Sequence, residues 1–231
     1  MFAQFYDRLR QWDRKARRSF GRDLSTPRGR LAAHVHFNLF DHAWLRHLWT
    51  NFYEVAPGIY RSNQPGPGRI ARYADMGIKT LVTLRGTSDQ PHYQLEKRAA
   101  EAHGLTLLAV ELGARHAAPR DEFLKLFDIF RDAERPILLH CKSGADRAGL
   151  VSVLYLLWSG HSVEEARSQL SFKYLHLKST KTGILDHILD VYADAQAQTG
   201  IDIETWFKTC YEPHQMTRDW KGQKAAGDAQ G

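Results

Sequence analysis

The sequence predicts a single α/β domain with a central, mostly parallel sheet flanked by helices, preceded by a helical N-terminal extension. Short apolar runs alternate with longer amphipathic runs through the middle of the chain. One of the apolar runs continues through a glycine-containing loop into a second apolar run, as a strand passes into a helix. The 231 residues, 43% of them hydrophobic, suffice for one core with terminal extensions.

Strands and helices are predicted to alternate from residue 58 to residue 158. The predicted order is a strand near 58–61, a helix over 68–76, a strand over 78–84, a helix over 92–103, a strand over 105–111, a helix over 121–133, a strand over 136–140 and a helix over 148–158. Further helices are predicted near 163–173, 182–198 and 202–211, so the domain is placed at residues 53–212. Open α/β sheets of this kind bind ligands at the carboxyl ends of their strands.

Residues 1–52 are predicted to form a basic, amphipathic helical extension. Residues 1–30 contain nine Lys or Arg and three Asp, and their net charge of +6 equals that of the whole chain. Aromatic and aliphatic residues recur every three or four positions, so residues 1–20 predict a helix with an aromatic face. Three interpretations stay open: the helix binds an anionic membrane surface, docks on its own domain or forms a flexible arm. No nucleic-acid partner is expected, because the basic charge is confined to one short arm.

Three further expectations concern the ends of the domain. A second packed helix is predicted over Asp41–Phe52, with its aromatic side chains in the core. Cys210 lies in an apolar run and is expected to be buried. Residues 213–231 are polar and predict a disordered tail.

The most specific motif is HCKSGADR, which runs from His140 to Arg147 between a predicted strand and a predicted helix. A loop that ends on a helix N-terminus points several backbone N–H groups at one place, and the helix dipole adds positive charge there. Gly144 permits the positive φ that such a loop needs, and the planar fork of Arg147 suits two phosphate oxygens. The same field favours the thiolate of Cys141, which is then a nucleophile for phosphorus. A buried structural cysteine beside a surface arginine does not account for the joint pattern.

Residues 140–149 resemble the signature loop of the cysteine-dependent phosphatases, the superfamily of protein tyrosine, dual-specificity and inositol-phosphate phosphatases. Residues 55–85 resemble the first strands of its atypical dual-specificity members, and the similarity extends over about 53–195. The resemblance implies a hydrolase that forms a phosphocysteine intermediate on Cys141, with His140 as a supporting residue. The residues that it assigns to the phosphate-binding loop, or P-loop, are Lys142, Ser143, Gly144, Ala145, Asp146 and Arg147.

The later steps of the chemistry are less well defined by the sequence. Many members of the superfamily have Ser or Thr after the loop arginine to assist breakdown of the phosphoenzyme, whereas this chain has Ala148, so slower breakdown is expected. The general acid is either Asp121 or Asp146. Atypical inositol-phosphate enzymes place an Asp after a proline, which corresponds to Asp121 here, and acidic residues also begin helices in this way. Asp146 corresponds to a catalytic Asp in one bacterial subgroup, and its alternative role is to stabilise the loop.

The implied function is that of a cytoplasmic phosphatase acting on phosphotyrosine, phosphoserine or phosphothreonine in proteins, or on phosphoinositides and inositol phosphates. A reactive thiol needs a reducing compartment, and the basic helix would add peripheral attachment to the inner membrane face. No cofactor and no metal ion are expected, since the histidines before residue 53 match no zinc-binding spacing. Arg85 and Arg115 are interpreted as loop-bracing or surface residues, with substrate contact as the alternative. The competing function is a phosphatase-like module that captures phosphorylated ligand without turnover.

Overall fold

The computed structural model describes residues 23–41 and 43–228, so the helix predicted for residues 1–20 and His42 lie outside the described residues. In chain order the helices are α1 (Pro27–Leu39), α2 (Leu45–Leu48), α3 (Pro67–Asp75), α4 (Pro91–Ala102), α5 (Arg120–Asp132), α6 (Asp146–Trp158), α7 (Val163–Arg167), α8 (Ile184–Thr199), α9 (Ile203–Thr209) and α10 (Pro213–Asp228). The strands are β1 (Tyr53–Ala56), β2 (Ile59–Asn63), β3 (Thr80–Thr83), β4 (Thr106–Ala109) and β5 (Ile137–Cys141), and short 3₁₀ helices occupy Phe172–Tyr174 and Lys181–Gly183. None of these described helices is long and apolar enough to cross a lipid bilayer.

The predicted α/β fold with a mostly parallel sheet is confirmed. The five strands have the order β1-β2-β5-β3-β4, in which only β1 is antiparallel to its neighbour. Strand β5 is central, and each of its residues is buried, as the uninterrupted apolar run predicts for a strand covered on both faces. The segment that follows β5 therefore lies at the carboxyl edge of the sheet, between two parallel neighbours.

Helix α6, which follows β5, is enclosed by the core. All its residues from Ala148 to Leu157 are buried, so the helix is apolar on every side. The same core contains Phe123 of α5 and Phe207 of α9, whose ring centroids are 4.3 Å apart. Each buried Phe contributes about 1.5–3 kcal/mol to folding. The N-terminus of α6 is thus anchored by the largest apolar cluster of the described chain.

The prediction of a packed helix over Asp41–Phe52 is wrong. Only Leu45–Leu48 is helical there, and Trp44, Leu45 and Leu48 are 53%, 48% and 85% exposed. Asn51 has a positive φ of 51°, which no helix contains, and this residue turns the chain into β1. The long helix of this region is α1. It begins at Pro27, and the side chain of Thr26 caps its N-terminus by accepting the N–H of Gly29.

The C-terminal residues also differ from expectation. Pro213–Asp228 forms α10 where the sequence predicts a disordered tail. Met216 is buried and Trp220 packs against the core, and these two side chains, four positions apart, lie on one face of the helix. Cys210 is exposed, because it follows α9 at a position that turns away from the buried Trp206 and Phe207.

Candidate active site

The HCKSGADR motif forms the turn from the central strand into the buried helix. Cys141 is the last residue of β5, and α6 begins at Asp146. Cys141 is 1% exposed, and its Sγ accepts the backbone N–H of Gly144 at 3.3 Å. The first turn of α6 has no side-chain cap, which leaves its N–H groups for a bound anion.

The backbone carbonyls of the signature loop (residues 140–149) are bound to the protein around it. Gln64 N donates to Lys142 O at 3.3 Å, and Asn51 Nδ2 donates to Ser143 O at 3.3 Å. Arg61 Nη2 donates to two carbonyl oxygens, those of Gly144 at 2.7 Å and Ala145 at 3.1 Å. The C=O and N–H of a peptide point in opposite directions. Four consecutive carbonyls fixed against the surrounding protein therefore turn their peptide N–H groups away from it, and one of these groups, Gly144 N–H, meets Sγ. A row of N–H groups of this kind is the geometry of a backbone nest.

Two glycines allow the close packing that this arrangement needs. Gly144 has the predicted positive φ, +73°, and a Cβ there would lie 2.7 Å from backbone atoms of Ser62 and Asn63. A Cβ on Gly149 would lie 2.8 Å from the carbonyl oxygen of Gln169. Any larger residue at either position would push the loop away from β2 or α6 away from the segment after α7.

Arg61 of β2 is the main brace of the signature loop. Its side chain is fully buried, and Nη1 donates to the carbonyl oxygen and to Oε1 of Gln169 at 2.9 and 2.8 Å. Its guanidinium lies 3.9 Å from the ring centroid of Tyr174. Burial lowers the pKa of Arg61 to about 10, against the opposing influence of Tyr174 and Cys141, so the group stays charged at neutral pH. This fixed positive charge is held against the carbonyl oxygens of Gly144 and Ala145.

Arg147 lies in the first turn of α6 with one edge of its guanidinium engaged. Nη1 donates to the carbonyl oxygens of Leu84 and Leu112, at 3.2 and 3.4 Å, where the chain leaves β3 and β4. Nε and Nη2 make no hydrogen bond within the described residues. These two groups form an edge of the guanidinium whose planar geometry suits two oxygen acceptors side by side.

His140 is buried beside the carboxylate of Glu96 from α4. The two side chains are 0% and 1% exposed, and His140 Nε2 is in ion-pair contact with Glu96 Oε1. The contact lacks hydrogen-bond geometry. Glu96 Oε2 accepts from Gln64 Nε2 at 2.6 Å, and Gln64 Oε1 in turn accepts from Arg85 Nη1 at 3.0 Å. His140 thus belongs to a polar chain that reaches the surface through Arg85.

Asp41 is surrounded by three cations at the end of this chain. Its carboxylate lies 2.8 Å from Arg46, 3.1 Å from Arg85 and 3.3 Å from Lys142. Burial would raise the pKa of Asp41, but Arg85, Arg46 and Lys142 outweigh it and hold the pKa well below its usual value. Burial and the nearby Arg85 lower the pKa of His92 to about 3, so that ring is neutral. The surface next to Cys141 therefore carries an excess of positive charge.

Asp146 forms a hydrogen-bonded triad with His176 and Asp186. His176 Nδ1 lies 2.8 Å from Asp146 Oδ1, and Nε2 lies 2.7 Å from Asp186 Oδ2. Burial opposes the charged ring, but the hydrogen bonds to both carboxylates outweigh it and raise the pKa of His176 to about 9. His176 is therefore an imidazolium at neutral pH, and it pairs Asp146 with a fixed positive charge.

Asp121 is exposed in the first turn of α5. Its neighbour Arg120 donates to the carbonyl oxygen of Tyr211 at 2.7 Å, so this end of α5 is fastened to the C-terminal helices. Within the described residues Asp121 makes no hydrogen bond, and no contact joins it to the signature loop. Arg115 is likewise exposed, in the segment between β4 and α5.

Several residues around the loop were not found by sequence reasoning. Arg61 had a usable signal, since a charged residue in the middle of a buried strand usually has a specific partner. Four other residues gave no such sequence signal, because each reaches the loop or its brace from a distant part of the chain. They are Asn51, Asp41, Gln169 and His176.

Comparison with known proteins identifies the class. Residues 57–161 match the family described as "Polymorphic toxin system, DSP-PTPase phosphatase". The dual specificity protein phosphatase TpbA of Pseudomonas aeruginosa (strain UCBPP-PA14) is 29% identical over 109 residues, which are 46% of this chain and 45% of TpbA. Inositol diphosphatase DSP3 of Arabidopsis thaliana is 27% identical over 105 residues, 43% of this chain and 50% of DSP3. The chain thus spans about half the length of the curated relatives it matches.

Solved structures share the fold. The crystal structure of P. aeruginosa TpbA has a TM-score of 0.50 and 21% identity, covering 64% of this chain and 91% of TpbA. The core catalytic domain of the PP-IP phosphatase SIW14 from S. cerevisiae, in complex with citrate, has a TM-score of 0.50 and 19% identity. The match covers 65% of this chain and 93% of the SIW14 domain. The matches support a relationship between residues 57–161 and the cysteine-based dual-specificity phosphatases.

Proposed function

We propose that this chain hydrolyses phosphate monoesters through a cysteinyl-phosphate intermediate. The observation that carries the proposal is the set of four loop carbonyls, from Lys142 to Ala145, that are held by Gln64, Asn51 and Arg61. This arrangement produces a rigid, positively polarised nest on the side where Cys141 Sγ accepts an N–H group.

The first step is attack of the Cys141 thiolate on phosphorus. A bond forms between Sγ and phosphorus, the bond from phosphorus to the leaving oxygen breaks, and a carboxylic acid supplies the proton that this oxygen needs. The loop amides and the free Nε and Nη2 edge of Arg147 hold the three remaining phosphoryl oxygens, whose charge they stabilise most in the transition state.

In the second step, water attacks the phosphocysteine. The water oxygen bonds to phosphorus, its proton passes to the carboxylate left by the first step, and the P–S bond breaks to return the thiolate and inorganic phosphate. Ala148 is buried and provides no hydroxyl group for the departing sulfur. We therefore expect breakdown of the intermediate to limit turnover.

We assign the general acid to Asp121 rather than to Asp146. Asp146 Oδ1 accepts a hydrogen bond from the His176 imidazolium, so this carboxylate is already engaged within the protein. Asp121 is exposed and makes no hydrogen bond within the described residues, so its carboxyl group is available to a bound ester. Asp146 then has a structural role, in which it fixes the first turn of α6 and with it Arg147.

The proposed substrates are phosphorylated proteins, or phosphoinositides and inositol phosphates. The relatives support both classes, since TpbA is named a protein phosphatase and DSP3 an inositol diphosphatase. The cationic surroundings of Asp41 favour substrates that carry more than one anionic group, because Lys142, Arg46 and Arg85 outnumber the one carboxylate they share.

Phosphate release by the wild type, Cys141→Ser and Cys210→Ser tests the proposal. The panel is phosphotyrosine, phosphoserine and phosphothreonine peptides, phosphoinositide micelles and soluble inositol phosphates, with a chelator in place of added metal. We expect Cys141→Ser to lose about 10³-fold or more of the activity. Cys210 is the only other cysteine in the sequence and is exposed, so Cys210→Ser is the matched control and should act like wild type.

Activity that survives Cys141→Ser would refute thiolate catalysis. Absence of release by the wild type from every compound, with tight binding of the same compounds, would replace the proposal by the module that captures phosphorylated ligand without turnover.

A further inference from the structure

Two segments beside the signature loop expose large apolar side chains to solvent. We call residues 44–48 the first flank and residues 172–177 the second flank. The exposed fractions are 53% for Trp44, 48% for Leu45, 85% for Leu48, 71% for Phe172, 47% for Leu175 and 47% for Leu177. Single exposed apolar residues are common, but six in two short segments mark an interaction surface.

The second flank is fastened to the signature loop, and the first flank lies close to Asn51, which joins the two. Asn51 Nδ2 donates to the carbonyl oxygens of Ser143 and Tyr174, at 3.3 and 3.1 Å, so this side chain joins the loop to the second flank. Leu48 is three residues before Asn51, which places its Cα within about 11 Å of that of Asn51. The second flank also reaches the loop through the hydrogen bond from His176 to Asp146.

The second flank is bordered by positive charge. Residues 171–183 contain three exposed lysines and no acidic residue; Lys178 is paired with Asp190 at 3.2 Å, whereas Lys173 and Lys181 have no ion pair among the described residues. Residues 43–50 likewise contain no acidic residue. Lys142 of the loop itself has a side chain that is 45% exposed.

This combination distinguishes a lipid surface from a protein partner. The buried centre of a protein interface is depleted in lysine, whereas lysines beside aromatic and aliphatic side chains are typical of surfaces that bind anionic bilayers. The apolar groups enter the boundary between headgroups and acyl chains, and the lysines remain at the level of the lipid phosphates.

We propose that the two flanks form a docking surface for an anionic lipid bilayer, which presents a lipid-borne phosphate monoester to Cys141. This inference rests on the proposed phosphatase activity and narrows its substrate class to phospholipids. It is independent of residues 1–22, because every residue that carries it lies in the described part of the chain.

The test uses the full chain and vesicles of phosphatidylcholine, alone or with about one third phosphatidylglycerol. Binding is measured by co-sedimentation for the wild type, the double variant Leu48→Ser/Phe172→Ser and Met76→Ser. Met76 is 57% exposed and lies just after α3, before β3 begins, at the edge of the sheet opposite the loop, so its variant is the matched control. Turnover is measured with soluble p-nitrophenyl phosphate and with a phosphatidylinositol phosphate carried in the same vesicles.

We expect the wild type and Met76→Ser to bind the anionic vesicles and the double variant to bind about tenfold more weakly. Turnover of the vesicle substrate should fall in parallel, with turnover of p-nitrophenyl phosphate unchanged. If the wild type does not bind the anionic vesicles, the inference is overturned. A double variant that binds as tightly as wild type would also overturn it and would assign binding to residues 1–22. Vesicle binding with no turnover of either substrate would support the docking surface and count against the phosphatase proposal.

Discussion

Replacement of His176 by Gln tests the triad that fixes the first turn of α6. In the folded protein His176 lies between Asp146 and Asp186, and their hydrogen bonds outweigh burial and raise its pKa from 6.5 to about 9. At about 1.4 kcal/mol per pKa unit, this shift corresponds to at most about 3.5 kcal/mol of stability. The Asp146 side chain is 23% exposed and therefore screened by solvent, so we reduce the expected contribution to about 1–2 kcal/mol.

The direction of the pH dependence follows from the raised pKa of His176. Because the folded state holds the proton more tightly than the unfolded state, the stabilisation is complete below about pH 6.5. It decreases as the pH rises and is lost once the pH passes the folded-state pKa of about 9.

Urea unfolding near pH 6, 7.5 and 9.5 measures this dependence. The difference in free energy of unfolding between wild type and His176→Gln should shrink by about 1–2 kcal/mol over that range. Since Asp146 directly precedes Arg147, the variant should also bind inorganic phosphate about threefold to tenfold more weakly. His161→Gln, at an exposed histidine, is the matched control. A difference that stays constant, or grows with pH, would refute the assignment of His176 as an imidazolium between two carboxylates.

Substitutions at three further residues have defined outcomes. Arg61→Met removes the donors of two loop carbonyls and should lower the free energy of unfolding by about 3–5 kcal/mol in urea titrations, and Arg61→Lys should rescue little because an ammonium lacks the planar fork. Asp41→Asn releases Lys142 and Arg85, so inorganic phosphate should inhibit about threefold to tenfold more strongly at low salt, an effect that should fade as salt rises. Asp121→Asn should reduce turnover of alkyl phosphates by about 10²–10⁴-fold and that of p-nitrophenyl phosphate much less, whereas equal losses on both would exclude Asp121 as the general acid.

The elements of the domain could be predicted because their patterns are local. The run from Pro136 to His140 is apolar without alternation, which is typical of a central parallel strand, and the strand and α6 appear within a few residues of the predicted positions. The Asp41–Phe52 segment has equally apolar residues but does not form the predicted helix. Its conformation depends on the ion pairs of Asp41 and on the positive φ of Asn51, which are tertiary features that periodicity does not contain.

The candidate site was predicted in its centre and missed in its surroundings. Cys141, Gly144 and Arg147 stand close together in sequence, so their spacing alone indicates a loop at a helix N-terminus. The groups that hold the loop carbonyls lie between 78 and 92 residues away along the chain, as for Gln64 and Asn51. His176 is 30 residues from Asp146, and its sequence context, Leu175 and Leu177, gives no sign of a buried ion triad.

The part of the chain that matches the phosphatase family ends before the site is complete. The match covers residues 57–161, which include Cys141, Arg147 and Arg61. Three residues outside the match complete the surroundings of the loop. Asn51 binds Ser143 O, Gln169 binds Arg61, and His176 binds Asp146. Each buried polar group left without its partner costs about 1–3 kcal/mol, and a domain is stable by only about 5–15 kcal/mol. The residues on both sides of the match are therefore as necessary to the geometry of the nest as the signature itself. Because the same outer segments carry the two exposed flanks, changes there are expected to alter the choice of substrate and the stability of the loop together.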